Sequence, residues 1–312
     1  MNETTRSLSG VHPHGLDRRG LAVTAGAFAI WGVVPVYWHL LKLVPSMQIM
    51  AHRVVWSALL VVGWLLLRDG WGWLRRIAAQ PRALAALALS SALIAFNWSL
   101  YIWAVNAGHV VETSLGYFIN PLVNVALGVL VLHERLRPLQ WLAVGCAAAG
   151  VAWLTWSAGS PPWIALGLAV SFALYGLVRK LVPVDAVAGL GLESVYMFLP
   201  ALAWVLWSEA GHGGGFGGGW GIRVDLLLVC SGVVSAVPLI GFAYGVRRIP
   251  LSVVGLLQYI APTLQLLLGV WYFHEPFGAA QLLGFGAIWL GLAIYASEGL
   301  WRARRRVAAD RG

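Results

Sequence analysis

The sequence predicts an all-α polytopic membrane protein with ten transmembrane helices, arranged as two inverted repeats of five helices each. Sixty per cent of the residues are hydrophobic and only 11% are charged, whereas about a quarter of the residues in a soluble domain are charged. Apolar runs long enough to cross a bilayer core recur along the whole chain. The basic residues cluster in alternate loops, and one segment occurs twice at a constant offset.

Ten apolar runs define the predicted spans. The first five cover residues 20–41, 47–67, 83–105, 113–132 and 138–157, and the second five cover 161–178, 187–207, 226–246, 251–273 and 279–296. The predicted units are a disordered tail at 1–19, repeats at 20–157 and 158–298, and a basic tail at 299–312. The first run has spanning length and no small-residue cleavage site, so a cleaved signal peptide is not expected.

The distribution of lysine and arginine predicts the orientation. With both termini in the cytoplasm, only Lys42 and Arg223 of the 21 Lys and Arg residues fall in outer loops, and only Arg53 falls within a span. All the others lie on the cytoplasmic side, as the positive-inside rule requires. The sequence therefore predicts a multi-pass protein of the cytoplasmic (inner) membrane with both termini inside. The scattered basic loops also explain the net charge of +9 without a nucleic-acid partner.

An internal duplication predicts the repeats. GYFINPLVNVALG at 116–128 recurs 141 positions later as LQYIAPTLQLLLG at 257–269, and the match continues into two His-Glu pairs. A second match, at an offset of 144, joins FAIWG at 28–32 to FALYG at 172–176. Because each half has an odd number of spans, the second half enters the membrane from the opposite side. Inverted repeats of this kind are typical of alternating access around a site near the midplane.

The duplicated segment carries a polar stripe along one helical face. In the first half the stripe contains Tyr117, Asn120, Pro121, Asn124 and Gly128, and in the second half Gln258, Pro262, Gln265 and Gly269. Each proline removes a backbone donor and is predicted to act as a helix hinge. We expect the stripes to face each other across a substrate pathway; the alternative is small-residue packing with the amides as interhelical hydrogen bonds.

A basic residue within the second span predicts a functional contact. His52, Arg53 and Trp56 share one face, and an arginine in a span costs on the order of 3 kcal/mol unless it faces a cavity or a partner. The position that matches His52 in the second half is Glu193, which predicts an Arg53–Glu193 ion pair across the repeat interface. The alternatives are snorkelling of Arg53 to the outer headgroups and a Glu193 that caps its helix or lies at the cytoplasmic mouth.

The third span adds aromatic and amide groups to the predicted pathway. Asn97, Trp98 and Tyr101 can share a face, and interhelical hydrogen bonding is the alternative role for them. Tyr175 and Tyr259, in the FALYG and QYIAPT motifs, complete the predicted set.

No motif indicates an enzyme, a cofactor or a metal site. His133-Glu134 and His274-Glu275 lack the second histidine of a zinc motif, and the glycine-rich stretch at 211–221 lacks the Lys-Ser/Thr of a phosphate loop. Helix capping and a flexible external loop are the expected roles of these segments. The sequence contains no GxSxG motif, HExxH motif or acidic pair.

Five segments carry a resemblance to a known family. They read HRVVWS (52–57), NWSLYIWAVN (97–106), ETSLGYFINPLVNVALG (112–128), SFALYGLVRK (171–180) and QYIAPT (258–263). Over residues 20–296 the chain resembles the RarD subgroup of EamA-type transporters in the drug/metabolite transporter superfamily. The resemblance implies ten helices in two inverted repeats, and a central cavity lined by the first four helices of each half. Some members are named for chloramphenicol sensitivity or resistance.

The predicted function is secondary transport of a small organic solute or drug across the cytoplasmic membrane by alternating access. Without an ATP-binding motif, a gradient or solute exchange must drive it, and protons are the candidate coupling ion. Arg53 is hypothesised to attract an anionic or electron-rich group. The alternative is a non-transporting sensor or a lipid-modifying membrane protein. The expected partners are the solute and the lipid bilayer, with a homodimer as a candidate assembly.

Overall fold

All of the regular secondary structure in the described part of the chain is helical. The structure is a computed structural model that describes residues 17–106, 110–158, 163–272 and 278–309, and within these ranges it contains no β-strand. Most of the predicted N-terminal tail and the His274-Glu275 pair lie outside the described residues.

Twelve helices are formed by the described residues. The first half contains α1 (Arg18–Leu40), α2 (Ser46–Asp69), α3 (Gly72–Ala78), α4 (Pro81–Asn106), α5 (Val110–Leu130) and α6 (Pro138–Ala158). The second half contains α7 (Trp163–Leu181), α8 (Ala186–Glu209), α9 (Ile222–Val246), α10 (Leu251–Leu257), α11 (Ile260–Trp271) and α12 (Ala279–Ala309). Acidic caps begin two of them, because the Asp17 carboxylate accepts a hydrogen bond from the Arg19 N–H and the Asp185 carboxylate from those of Val187 and Ala188.

The chain is a multi-pass membrane protein. Eight helices among the described residues are long and apolar enough to cross a bilayer, and two shorter apolar helices cover Leu115–Leu130 and Ala279–Tyr295. Large apolar side chains are exposed on the outside of the bundle, for example Leu67 and Trp156, which are 88% and 85% exposed. In water such a surface would be costly, whereas hydrocarbon accepts it.

Three features depart from the predicted elements. A short helix, α3, buries Trp73 and Ile77 against the bundle in a segment predicted as a loop. The last helix continues to Ala309, beyond the predicted end of its span at residue 296. The third departure is a break in the ninth predicted span, which forms two helices instead of one.

The break between α10 and α11 precedes Pro262. Proline has no N–H to donate to the carbonyl of Gln258, four residues earlier. The Ala261 N–H instead reaches the Gln258 carbonyl oxygen at 3.3 Å, and the Thr263 N–H reaches that of Tyr259 at 3.1 Å. The tightened turn ends α10 at Leu257 and restarts the helix at Ile260.

The helices pack in reciprocal pairs across the two halves. Helix α1 packs on α9 and α11, α2 on α8 and α9, α4 on α7 and α8, and α5 on α7 and α10. Helices α6 and α12 pack mainly on each other. Glycines at this contact leave room for the facing backbone, where a larger residue would not fit. A Cβ atom on Gly150 would lie 2.5 Å from the Gly284 carbonyl oxygen, and one on Gly291 would lie 2.5 Å from that of Ala143.

The first duplicated segment, in α5, contacts α10 just before the second duplicated segment begins at residue 257. A Cβ atom on Gly255 would lie 2.6 Å from the Pro121 carbonyl oxygen and 3.2 Å from Asn124 Cβ. One turn further along, Asn124 Nδ2 donates to Gln258 Oε1 at 2.6 Å. Only glycine at residue 255 therefore permits the two helices to approach closely enough for this hydrogen bond.

Gly255→Ala is expected to destabilise the protein by about 1–3 kcal/mol, the usual cost of overpacking. Gly145→Ala is the matched control, because nothing lies within 4 Å of the Cβ that it would add. The control should be neutral or slightly stabilising, since alanine favours helix more than glycine does. Denaturant unfolding of both variants in detergent micelles measures the difference. Equal effects of the two substitutions would show that the α5–α10 contact tolerates a side chain.

Candidate functional site

A cavity of about 450 Å³ opens at one end of the bundle. Its lining comes from α1, α2, α4, α5, α7, α9 and α11, and from Gln258 between α10 and α11. Residues 41–46, between α1 and α2, contribute to its mouth, and we call this the cavity end. The volume lies within the range of about 300–1,000 Å³ that is usual for sites of small organic ligands.

The opposite end carries the basic loops, and we call it the basic end. Lys180 Nζ donates to the carbonyl oxygens of Val246 and Ile249, each at 2.9 Å. The Glu134 carboxylate accepts from the Leu251 and Ser252 N–H groups at 2.7 and 3.0 Å and so caps α10. These bonds connect the end of α7, residues 131–137 and residues 247–250 in one layer.

Arg247, in the same layer, lies between α9 and α10 and donates to the Val184 carbonyl oxygen. Burial, and secondly the nearby Arg179 guanidinium, lower the pKa of Arg247 below its ordinary value. Both effects disfavour the charged form of Arg247.

Most of the predicted pathway residues line the cavity. They are Arg53, Asn97, Trp98, Tyr101, Tyr117, Asn120, Gln258, Pro262 and Gln265. The others, which lie outside its lining, are His52, Trp56, Pro121, Asn124, Tyr175, Glu193 and Tyr259. The cavity is thus lined by Tyr117 and Asn120 of the first stripe, by Gln258, Pro262 and Gln265 of the second, and by the third-span group.

Arg53 points into the cavity between two indole rings. Its guanidinium carbon lies 4.7 Å from the ring centroid of Trp38 and 5.1 Å from that of Trp98. Its Nε donates to Ser235 Oγ on α9 at 2.9 Å. Cation–π contacts and one hydrogen bond thus fix the plane of the guanidinium.

The predicted Arg53–Glu193 ion pair is wrong. Glu193 lies toward the basic end, where its Oε1 is 3.6 Å from Arg179 Nη1 and accepts from Ser90 Oγ at 2.5 Å. Tyr175 donates its hydroxyl to Glu193 Oε2 at 3.4 Å. Arg179 and Glu193 are each about 1% exposed. The 141-residue offset predicted equivalent positions for His52 and Glu193, but His52 contacts Phe216 of the loop at 211–221, whereas Glu193 lies toward the basic end.

An aromatic cluster separates the cavity from the Arg179–Glu193 pair. Its members, which we call the aromatic plug, are Phe28, Trp31, Phe172, Tyr175 and Phe242. Neighbouring ring centroids lie 5.2–6.0 Å apart. Four of the five come from the duplicated FAIWG and FALYG motifs. The plug closes the cavity floor, because its packed apolar rings offer water no favourable contacts.

The lower part of the first polar stripe, and Tyr259 beside the second, serve in packing. Asn124 is fully buried and donates to Asn120 Oδ1 at 3.3 Å as well as to Gln258. Tyr259 donates its hydroxyl to the Phe118 carbonyl oxygen at 3.2 Å, within the turn that precedes Pro121. Both predicted roles of the stripes, lining the cavity and forming interhelical hydrogen bonds, therefore occur, and Gln258 has both.

His52 and Trp56 lie beneath the glycine-rich loop at 211–221. Trp56 Nε1 donates to His52 Nδ1 at 3.2 Å, and the His52 ring lies 4.8 Å from that of Phe216. The Phe216 N–H donates to the Glu209 carboxylate at 3.3 Å. Five of the loop glycines have φ between 86° and 142°, a region that side chains disfavour. This loop, predicted to be a flexible external segment, has specific contacts with α2 and α8.

Several lining residues were absent from the predicted set. Trp31, Trp38, Phe172 and Ser235 line the cavity, and Lys42 stands at its mouth. The FAIWG–FALYG match was a signal for Trp31 and Phe172. Ser235 carried none, because a serine in an apolar span usually bonds within its own helix.

Comparison with known proteins identifies the family. The model of the EamA-like transporter family matches residues 18–156 and again residues 161–297. Protein RarD of Streptomyces exfoliatus is 48% identical over 93% of this chain and 91% of its own length. Protein RarD of Escherichia coli K12 is 43% identical over 92% of this chain and 97% of its own.

Two further matches agree with this assignment. The uncharacterized transporter YojE of Bacillus subtilis is 44% identical over 93% of this chain and 97% of its own length. One protein of known crystal structure matches with a TM-score of 0.65 and 21% identity, covering 88% of this chain and 96% of its own, which supports the fold alone. The chain belongs to the EamA-like transporter family, and the predicted resemblance is confirmed. It is a membrane transporter of this family and not an enzyme.

The two possible partners of Glu193 are distinguished by double-mutant cycles. Glu193→Gln and Arg179→Met should each lower stability by about 3–5 kcal/mol, because each leaves a buried polar group without its partner. The double variant should lose less than the sum, with a coupling of about 1 kcal/mol or more. Denaturant unfolding in detergent measures the three variants.

The control cycle pairs Arg53→Met with Glu193→Gln, and its effects should add to within about 0.5 kcal/mol. Coupling of Glu193 to Arg53 instead of Arg179 would contradict the ion-pair assignment.

Proposed function

We propose that this chain is a secondary transporter that moves a small organic solute or drug across the cytoplasmic membrane by alternating access. The observation that carries the proposal is the single-sided cavity. It is open at the cavity end and closed below by the aromatic plug, the Arg179–Glu193 pair and the loop layer at the basic end. In such a cycle the layers at the basic end separate when those at the cavity end close.

The proposed topology has ten crossings with both termini in the cytoplasm. It treats α10 and α11 as one broken span, because Leu251–Leu268 is long and apolar enough to cross a membrane. It also counts the two shorter apolar helices as crossings. The contacts support the orientation, because the basic loops at 131–137 and 247–250 join in one layer with the loop at 182–185, which follows Arg179-Lys180. The positive-inside rule then assigns the basic end to the cytoplasm and the cavity end to the outside.

Inverted repeats are supported by the pattern of helix contacts. We pair α1 with α7, α2 with α8, α4 with α9, α5 with α10–α11, and α6 with α12. Exchanging the members of every pair converts the α2–α9 contact into α8–α4, and the α1–α9 contact into α7–α4, all of which occur. The family model also matches each half separately. Two halves with equivalent packing have two arrangements of similar energy, as alternating access requires.

Reconstituted protein should exchange a bound solute across a membrane. A thermal-shift screen against metabolites and drugs supplies ligands, because a ligand at about 100 times its Kd stabilises the folded protein by about 2.7 kcal/mol. A labelled hit should then accumulate in proteoliposomes preloaded with the same unlabelled compound.

Ala261→Phe, which fills the cavity, should abolish this counterflow, since Ala261 lines the cavity. Ala149→Phe, on an exposed position of α6, is the matched control and should leave it intact. Ligand binding without flux would favour the sensor alternative.

Accessibility of a cysteine tests the alternation. In a variant with Cys146 and Cys230 replaced by alanine, Ala261→Cys should react with a small impermeant methanethiosulfonate from the outside. During solute exchange it should also react in inside-out vesicles. Lys42→Cys, at the cavity mouth, should react only from the outside. Transport that proceeds while Ala261→Cys stays unreactive from the inside would exclude alternating access through this cavity.

A further inference from the structure

We infer that Arg53 forms a carboxylate-binding subsite, and that the solute is a small organic carboxylate with an apolar or aromatic body and no cationic group. This inference rests on the proposed transport function and specifies the class of its substrate. It depends on the hydrogen-bonding state of Arg53, the charges around the cavity and the nature of the walls.

The guanidinium of Arg53 retains an unused bidentate edge. Its Nε is occupied by Ser235 Oγ at 2.9 Å, and its faces are covered by the rings of Trp38 and Trp98. Among the described residues, none accepts a hydrogen bond from its two terminal nitrogens. A carboxylate accepts two parallel N–H bonds from such an edge, which is the geometry that arginine favours.

Arg53 differs from the arginines of this protein that pair with a carboxylate. Arg179 pairs with Glu193, Arg248 with Asp17, and Arg68 and Arg76 with Asp69. Within the described part of the chain, Arg53 has no carboxylate within ion-pair distance, and its polar partner is a neutral hydroxyl. A cation held in a low-dielectric site without a counter-ion is costly. A ligand anion would supply the missing charge.

The charges around the cavity favour anions and disfavour cations. Lys42 lies at the mouth and Arg53 lies deeper, and no aspartate or glutamate is among the described residues that line the cavity. Two positive charges with no negative one create a potential that attracts anions into a cleft. An ammonium group on the ligand would be repelled and would find no carboxylate.

The walls fit an apolar body. Six aromatic residues surround the space near Arg53, namely Trp31, Trp38, Trp98, Tyr101, Tyr117 and Phe172. The amide nitrogen of Asn97 already has protein partners, because it donates to the Leu168 carbonyl oxygen at 2.8 Å and to Ser171 Oγ at 2.9 Å. Flat aromatic surfaces bind the apolar part of a ligand by burying its surface area, while Arg53 orients the charged end of the ligand.

The test compares three probes of one shape that differ only in charge. They are 3-phenylpropionate, the neutral 3-phenylpropanamide and the cationic 3-phenylpropylamine, and their binding to the purified wild-type protein is measured by calorimetry and thermal shift. The carboxylate should bind more tightly than the amide by about tenfold or more, the value of one charged hydrogen-bonded pair. The amine should bind weakest. A carboxylate that binds no tighter than the amide, or not at all, overturns the inference.

Variants assign the effect to Arg53. Arg53→Gln should remove the preference for the carboxylate over the amide, and Arg53→Lys should retain part of it, since the charge remains but the bidentate edge is lost. Arg223→Gln, at an exposed position outside the cavity lining, is the matched control for net charge and should preserve the preference. An unchanged preference in Arg53→Gln contradicts the inference. If that variant does not fold, the wild-type probe series and Arg53→Lys still decide.

Counterflow of the bound carboxylate separates this inference from the transport proposal. A carboxylate that binds through Arg53 and does not cross the membrane leaves the subsite intact and refutes transport. A neutral solute that crosses equally well in wild type and Arg53→Gln preserves transport and refutes the subsite.

Discussion

The close contact between α5 and α10 determines where the cavity ends. In a bilayer, every backbone carbonyl that a proline frees must find another donor. Each duplicated segment contains a proline, which frees the carbonyl four residues earlier, that of Tyr117 or of Gln258. The Ala261 N–H reaches the Gln258 carbonyl where α10 breaks from α11, and Tyr259 donates to the neighbouring Phe118 carbonyl in the turn before Pro121. Gly255 brings the helices together at this depth. Below the contact the segments pack, and above it they diverge and line the cavity.

The remaining layers follow from this arrangement. The aromatic plug occupies the bundle centre because both halves deliver the same Phe and aromatic pair to it, from FAIWG and FALYG. Beneath it, Arg179 and Glu193 are each buried, and removing one partner would cost several kcal/mol, on the order of 3–5. Such a pair is weak evidence for extra stability, but it makes the closed arrangement specific. Hydrogen bonds from Lys180 and to Glu134 complete the seal.

The elements were predictable from sequence, and the polar contacts between them only in part. Span positions follow from apolar length and alternate basic loops, so α1 at Arg18–Leu40 lies within two residues of its predicted bounds. The partner of Glu193 was missed because Arg179 belongs to a charged pair, Arg179-Lys180, that resembles a loop. In the structure it lies in α7 with 1% of its side chain exposed. Periodicity identifies the face of a helix, but the depth at which a neighbour meets that face depends on inversion and packing.

The two halves match the same family model, but the polar contacts between them differ in charge. In the proposed cycle, this difference makes an anion bind more tightly on one side of the membrane than on the other. At the cavity end the cross-repeat contact is Arg53 with Ser235, which leaves an uncompensated cation. At the basic end the corresponding helices, α8 and α4, join Glu193 to Ser90, with Arg179 neutralising the carboxylate. A cavity open at the basic end would therefore present a neutral ion pair where the present one presents a lone guanidinium. An anion would lose Coulomb attraction as the layers exchange, which favours its release on that side.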